Sequence, residues 1–170
     1  MGSKVGTKRA DKRWRDNDGT VWASEFEFRV YTSLRSLFGG RRVRRAESAE
    51  GDSFDYTTPT KQGRCLDCGS GKVVQQRTYT PDIYVIQSKT HKRTYIETKG
   101  YFPADKRTLL RNFRKTGPSI DLIVIFQRNT KATSGRSLTQ WVESYVQNTP
   151  TFVWDPKKAD APDELIAYLL

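Results

Sequence analysis

The sequence predicts a single mixed α/β domain, and three patterns in its 170 residues support that prediction. An amphipathic helical repeat occupies residues 24–38, two β-favouring segments flank a polar turn at residues 88–92, and residues 120–126 form a nearly continuous apolar run. Strands that alternate with helices in this way are typical of a sheet covered by helices. A hydrophobic content of 35% is globular and is sufficient for one core in a chain of this length.

Residues 1–20 are polar and basic and have no apolar periodicity, so we expect a flexible basic tail ahead of one domain at residues 21–170. No stretch approaches the roughly twenty apolar residues of a membrane-spanning helix, and no secretory signal is recognisable. We therefore expect no membrane partner and a cytoplasmic protein whose thiols stay reduced.

The first predicted helix begins after Ser24, which stands three residues before Glu27 as in a capping box. Phe26, Val30 and Leu34 follow at helical spacing, and two glycines at positions 39–40 end the repeat. Glu27 is then either the reciprocal partner of the cap or an acidic group of a functional site.

Residues 41–52 look like a charged connector, and a turn-rich insertion follows near residues 57–77. The insertion contains the only cysteines of the chain, Cys65 and Cys68, in a CxxC spacing. A structural Zn²⁺ site needs four ligands, and His91 is the only histidine. The pair is therefore half of a zinc site shared between two protomers, a redox pair or an unliganded loop.

Asp82 and the triplet Glu97-Thr98-Lys99 carry the strongest functional signal. If residues 83–87 and 93–98 pair as a hairpin, Asp82 and Glu97 lie side by side, and Glu97 and Lys99 point to one face. Two adjacent carboxylates repel each other unless a cation lies between them, which favours Mg²⁺ or Mn²⁺. In a phosphodiesterase, the metal would polarise the scissile phosphate, and Lys99 would orient water or stabilise charge on the phosphate.

The rest of the chain completes the α/β pattern. Residues 105–116 predict a basic helix that packs on the sheet, and residues 120–126 predict a buried central strand. A final helix is predicted to begin near Ser137 or Thr139. The apolar residues 165–170 either complete the core or contact a partner subunit.

A formal charge of +11 indicates a polyanionic partner, and nucleic acid is the expected one because the membrane anchors described above are absent from the sequence. Clustered basic residues resemble phosphate clamps. The residues expected to bind DNA are Arg41, Arg42, Arg44, Arg45, Lys106, Arg107, Arg111 and Arg114.

Several segments together resemble the phage T7 endonuclease I family, which comprises Holliday-junction resolvases with a PD-(D/E)xK nuclease core. The resemblance covers roughly residues 20–145. The segments that carry it are Thr78-Tyr79-Thr80-Pro81-Asp82, Ile96-Glu97-Thr98-Lys99-Gly100, the strand at residues 120–126, the helix start at residues 24–30 and Phe54-Asp55-Tyr56.

This resemblance implies a restriction-endonuclease-like core, with a mixed central sheet flanked by helices, in an intertwined, domain-swapped homodimer. Asp82, Glu97 and the Thr98 main-chain carbonyl would bind the metal, and Lys99 would be catalytic. Glu27 would serve a second metal or the attacking water, in trans, and Asp55 would be an additional acidic group. The implied function is resolution of four-way junctions and other branched DNA by paired nicks, in a phage-encoded protein acting in the host cell.

Two alternatives remain open at this point. A nuclease of the same superfamily could act on ordinary duplex DNA, because the motif defines the chemistry and not the shape of the substrate. A noncatalytic architectural DNA-binding protein would also suit the basic clusters and the CxxC. Two departures from the family pattern are the longer segment between Asp82 and Glu97 and the insertion that contains the cysteines.

Overall fold

A computed structural model describes residues 14–16, 19–59, 74–133 and 135–170. Within those ranges the helices are α1 (Glu25–Phe38), α2 (Ala104–Thr116), α3 (Leu138–Tyr145) and α4 (Asp163–Leu169), with a 3₁₀ turn at Ser48–Glu50. The strands are β1 (Trp14–Arg15), β2 (Val21–Trp22), β3 (Val43–Arg45), β4 (Phe54–Pro59), β5 (Val74–Tyr79), β6 (Ile83–Ile86), β7 (Arg93–Lys99), β8 (Leu122–Phe126), β9 (Lys131–Thr133), β10 (Arg136–Ser137) and β11 (Thr151–Val153).

Five of these strands form the central sheet, in the order β11-β8-β7-β6-β3. The pairs β3–β6 and β6–β7 are antiparallel, whereas β7–β8 and β8–β11 are parallel. The predicted hairpin is confirmed, with Ile83 opposite Ile96 and Tyr84 opposite Tyr95. The predicted mixed α/β class is therefore confirmed.

Helices cover both faces of this sheet, and strand alternation divides the core into two layers. Ile123 and Ile125 face the layer that contains α1 and α4, whereas Leu122, Val124 and Phe126 face the layer that contains α2 and α3. All five residues of β8 are buried, as expected for a central strand covered on both sides.

Helix α1 has the boundaries that its sequence predicts, and the apolar residues of helix α4 are buried. Ser24 caps α1 because its side chain accepts a hydrogen bond from the Glu27 N–H at 3.1 Å. Gly39 ends the helix with a φ of 84°, a conformation that glycine adopts readily. In α4, Leu165 and Leu169 are fully buried in this chain's own core, which they complete.

Three segments differ from the sequence prediction. The helix predicted to be the last is α3, and a further helix, α4, follows it. The supposed connector at residues 41–52 contains edge strand β3, whose Val43 is fully buried and pairs opposite Val85. The supposed turn-rich insertion begins as the β4–β5 hairpin, so the strands extend to Pro59 and resume at Val74. Residues 60–73, with the predicted zinc ligands Cys65 and Cys68, lie outside the described residues, as does most of the predicted basic tail.

In the described part of the chain, no helix is both long enough and apolar enough to cross a membrane.

Candidate active site

The hairpin places Asp82 beside Glu97 at one end of the central sheet. The Asp82 N–H donates to the Ile96 carbonyl at 3.1 Å, and the Asp82 carbonyl accepts from the Ala46 N–H at 3.2 Å. Bonds on both sides hold this backbone between β7 and the residue that follows β3. The position of Asp82 is therefore determined by sheet pairing and not by a loose loop.

Thr98 orients the Asp82 carboxylate. Its N–H and its hydroxyl both donate to Oδ2 of Asp82, at 2.7 and 2.9 Å. Oδ1 of Asp82 accepts no hydrogen bond from the described residues, which leaves it available to a ligand.

Glu97 is 7% exposed and both of its carboxylate oxygens have partners. The Tyr79 hydroxyl donates to Oε2 at 2.5 Å, and the Lys99 ammonium forms an ion pair with Oε1. Tyr79 is buried and its ring lies 4.2 Å from that of Phe113, centroid to centroid. Tyr79 therefore supports the Glu97 carboxylate from strand β5, which is not part of the β6–β7 hairpin that contains Glu97.

Glu27 reaches the same cluster from the first turn of α1. It is buried, and its side chain does not form the reciprocal bond of a capping box among the described residues. Burial and the charge of Asp82 raise the pKa of Glu27 to about 7. Arg45 and Lys99 oppose that rise without cancelling it.

The same crowding of charged groups shifts the pKa values of Glu97 and Lys99. Burial, followed by the charge of Asp82, raises the pKa of Glu97 to about 7. Burial lowers the pKa of Lys99, but the charges of Glu97 and Asp82 outweigh burial, so that this pKa lies above its ordinary value. Three carboxylates thus crowd around one ammonium, an arrangement that an additional cation would stabilise.

The donor chemistry of this cluster fits a hard divalent cation. Asp82, Glu97 and the Thr98 carbonyl are oxygen donors of the kind that Mg²⁺ and Mn²⁺ prefer. The described residues contain no preformed group of three or more acidic, histidine or cysteine side chains arranged around a metal position. Each carboxylate oxygen of Glu97 has a lone pair besides the one directed at Lys99 or Tyr79, so a metal would bind beside that partner or in its place.

A cleft of about 470 Å³ opens beside the cluster. The segment between β11 and α4 contributes to its wall, which the sequence analysis did not anticipate. There Lys157 lies 2.6 Å from Glu25, and Arg29 lies 2.9 Å from the same carboxylate oxygen. The charged and polar side chains that line the cleft include those of Glu25, Glu27, Arg29, Asp82, Lys99, Tyr101, Gln127, Asp155 and Lys157.

The predicted DNA-binding residues separate into two groups. Four of them donate to main-chain carbonyls and so support the fold: Arg42 to Ile86 and Leu169, Arg45 to Val21, Arg107 to Ala132, and Arg114 to Ile120, Gln147 and Asn148. The other four, Arg41, Arg44, Lys106 and Arg111, are exposed. The exposed group is the one free to meet a phosphate backbone.

The sequence also predicted Asp55 as an additional acidic group and Glu27 as an acid supplied in trans. Asp55 is exposed on β4, where it accepts a hydrogen bond from the Thr78 hydroxyl at 3.1 Å, and it does not line the cleft. Glu27 lies near Asp82 of its own chain, so assembly in trans is not required to bring this acid to the site.

Sequence reasoning identified Glu27, Asp82, Glu97 and Lys99, which the structure brings together, but it missed the role of Tyr79. Tyr79 stands three residues before Asp82, and its apolar ring at the end of a polar strand was the available signal. Comparisons of this chain with protein-family models, with curated proteins and with solved structures give no match.

Proposed function

We propose that this protein is a metal-dependent endodeoxyribonuclease that cuts branched DNA, with the four-way junction as its preferred substrate. The observation that supports the proposal is the convergence of Glu27, Asp82 and Lys99 on one cleft, with Glu97 paired to Lys99. Clustered acids beside an ammonium suit phosphodiester hydrolysis, because the acids hold a cation and the ammonium meets the phosphate.

The chemistry divides among the residues of the cluster. A bound Mg²⁺ or Mn²⁺ would polarise the scissile phosphate and lower the pKa of a nearby water. Asp82, Glu97 and the Thr98 carbonyl would hold that cation. Lys99, released from its ion pair with Glu97, would stabilise the negative charge that develops on the phosphate.

Glu27 is suited to accept the proton that the attacking water loses. Its pKa of about 7 in the metal-free protein lies close to neutral pH, where a general base is most effective. It stands on α1 and so reaches the cleft from a different element than the metal ligands do.

The preference for branched DNA is supported by the resemblance of residues 78–82 and 96–100 to the phage T7 endonuclease I family. A homodimer would present two such sites to two strands of one junction, which yields paired nicks. The exposed Arg41, Arg44, Lys106 and Arg111 would bind the phosphate backbone, and affinity should therefore fall as salt concentration rises.

The test is a gel assay on a labelled immobile four-way junction and on its linear duplex arms, each with Mg²⁺ and with chelator. We expect paired nicks near the branch point that require the metal. Lys99→Ala should abolish them. Lys92→Ala should not, because it changes an exposed lysine that directly precedes the first residue of β7. Equal cutting of junction and duplex would indicate a general nuclease, and binding without cutting would indicate an architectural protein.

A further inference from the structure

Two clefts meet at the catalytic lysine. The cleft that contains Glu27 and Asp82 has a volume of about 470 Å³, and a second cleft of about 470 Å³ lies beside it. Both are lined by Lys99 and Tyr101, so these two residues form the boundary between them. Each volume is within the range of about 300–1,000 Å³ that is usual for small-molecule sites.

Tyr101 is the most exposed large hydrophobic side chain that the structure describes, at 82%. It takes part in no hydrogen bond, ion pair or ring contact among the described residues. Its neighbour Phe102 is buried and packs against Phe126 and Trp141, with ring centroids at 5.6 and 6.2 Å. The Tyr101 ring therefore contributes little to the core, yet it is attached to a firmly packed residue.

The second cleft has the composition of a nucleobase site. Phe102, Leu109 and Leu110 supply apolar surface, and Thr78 and Thr80 supply polar atoms. Lys106, which is exposed, and Lys99 place positive charge in its lining. Glu97 also lines this cleft and pairs with Lys99, so Lys106 is the cation in the lining that has no ion pair among the described residues. A base would contact the apolar surface while its phosphate meets the positive charge.

We propose that Tyr101 stacks on an unpaired nucleobase adjacent to the scissile phosphate, and that the second cleft receives this base. The proposal rests on the nuclease function proposed above and explains how that site selects its substrate. Bases inside an intact duplex are paired and stacked and cannot reach the ring, whereas bases of a bulge or a single-stranded end can. A base at a branch point, where stacking is interrupted, leaves its pair at a lower cost than one inside a duplex. Tyr101 would thus favour DNA with unstacked bases.

A binding experiment tests the base site without cleavage. In chelator, the affinity of the full chain is measured for a thymidine oligonucleotide and for an abasic oligonucleotide of equal length. The wild type should bind the base-containing strand at least about tenfold more tightly, since stacking on an aromatic side chain contributes that much per base. Tyr101→Ala should reduce this preference to about twofold, and Tyr101→Phe should retain most of it.

Tyr145→Ala is the matched control, because Tyr145 is also an exposed tyrosine but lies on α3, outside both clefts. It should keep the wild-type preference. An unchanged preference in Tyr101→Ala, or an equal loss in Tyr145→Ala, would overturn the base site. Because no cleavage is needed, a protein that cuts no DNA but shows the Tyr101-dependent preference would refute the nuclease proposal alone.

A double-mutant cycle connects the base site to cleavage. The nucleotide next to the mapped cut in the junction is replaced by an abasic one, and single-turnover rates are measured for wild type and Tyr101→Ala. Tyr101→Ala should lower the rate about tenfold on the intact junction and less than about twofold on the abasic junction. The same loss on both substrates would show that the ring does not act through a base.

Discussion

Two buried acidic sites contact strand β7, one towards each end of the strand, and only one of them lacks balanced charge. At the β6–β7 turn end of the hairpin, Asp52 is fully buried and accepts hydrogen bonds from Arg93 at 2.5 Å and from Tyr95 at 2.9 Å. At the opposite end, Glu97 shares one ammonium with two other carboxylates.

The difference teaches how a structural acid can be distinguished from a functional one. Asp52 has an arginine partner and hydrogen-bond donors within the fold, so the protein itself completes its environment. Glu27 and Glu97 instead have pKa values raised to about 7, because burial and neighbouring acids disfavour their charge. Strongly perturbed acids beside a cleft are typical of functional sites.

The largest expected effect comes from removing charged groups at the two acidic sites and comparing the cleavage rates. Glu97→Gln and Lys99→Ala should lower the single-turnover cleavage rate by about a thousandfold or more, because each removes a group that the proposed mechanism places against metal or phosphate. Asp52→Asn should leave the rate per folded molecule within about twofold. Junction binding in chelator should stay near wild type in all three, and comparable rate losses at both clusters would break the distinction.

Stability should show the opposite order. Asp52→Ala should lower the free energy of unfolding by about 2–3 kcal/mol, because it leaves the buried Tyr95 hydroxyl and the half-exposed Arg93 without their partner. Glu97→Gln should cost less than about 1 kcal/mol without metal, because it also relieves repulsion from Asp82. Urea unfolding in chelator measures both, and a larger cost for Glu97→Gln would contradict the interpretation of crowding.

The pH dependence of stability should follow the crowded cluster. A folded pKa of about 7, against an ordinary 4.5, means that the folded protein retains protons that the unfolded chain releases between those values. Metal-free protein should therefore lose stability as pH rises from about 4.5 to 7, by roughly 3 kcal/mol when one carboxyl retains its proton and by up to about twice that when both do.

Urea unfolding at a series of pH values checks this expectation, with Glu97→Gln as the variant that should flatten the slope. Saturating Mg²⁺ should stabilise the wild type more at pH 8 than at pH 5.5, because a cation binds the ionised carboxylates. A stability that rises through the same pH range in chelator would contradict the raised pKa values.

The smallest expected effect concerns Tyr79. Tyr79→Phe removes the hydroxyl that donates to Glu97, and we predict about a tenfold lower cleavage rate with a higher Mg²⁺ requirement. Tyr56→Phe is the control, because Tyr56 is a buried tyrosine of the same hairpin that packs on Phe113. A Mg²⁺ titration of the rate measures both, and equal effects would mean that Tyr79 only supports packing.

The parts of the site that could be predicted from sequence are local. Asp82, Glu97 and Lys99 belong to one hairpin, whose alternation and polar turn determine which side chains become neighbours. Helix α1 is predictable for the same reason, since Ser24, the apolar spacing and Gly39 all lie within one segment.

The parts that could not be predicted depend on contacts between distant segments. Strand β3 has one fully buried residue, Val43, followed by two arginines, so its three residues carry no strand signal. Tyr79 reaches Glu97, and Lys157 reaches the cleft, only through tertiary packing. The separation of structural arginines such as Arg114 from exposed ones such as Arg111 likewise requires knowing where each carbonyl lies.

The most direct test of the central claim compares Asp82→Asn with Asp121→Asn in single-turnover cleavage of a labelled four-way junction, with Mg²⁺ and with chelator. Asp121 is the matched acid, because it accepts hydrogen bonds from Thr94 at 2.5 Å and from Tyr168 at 2.8 Å, away from the cleft. We predict metal-dependent paired nicks from the wild type and Asp121→Asn, and none from Asp82→Asn. Cutting by Asp82→Asn at the wild-type rate, or cutting that persists in chelator, would contradict the assignment of this cluster as a metal-dependent nuclease site.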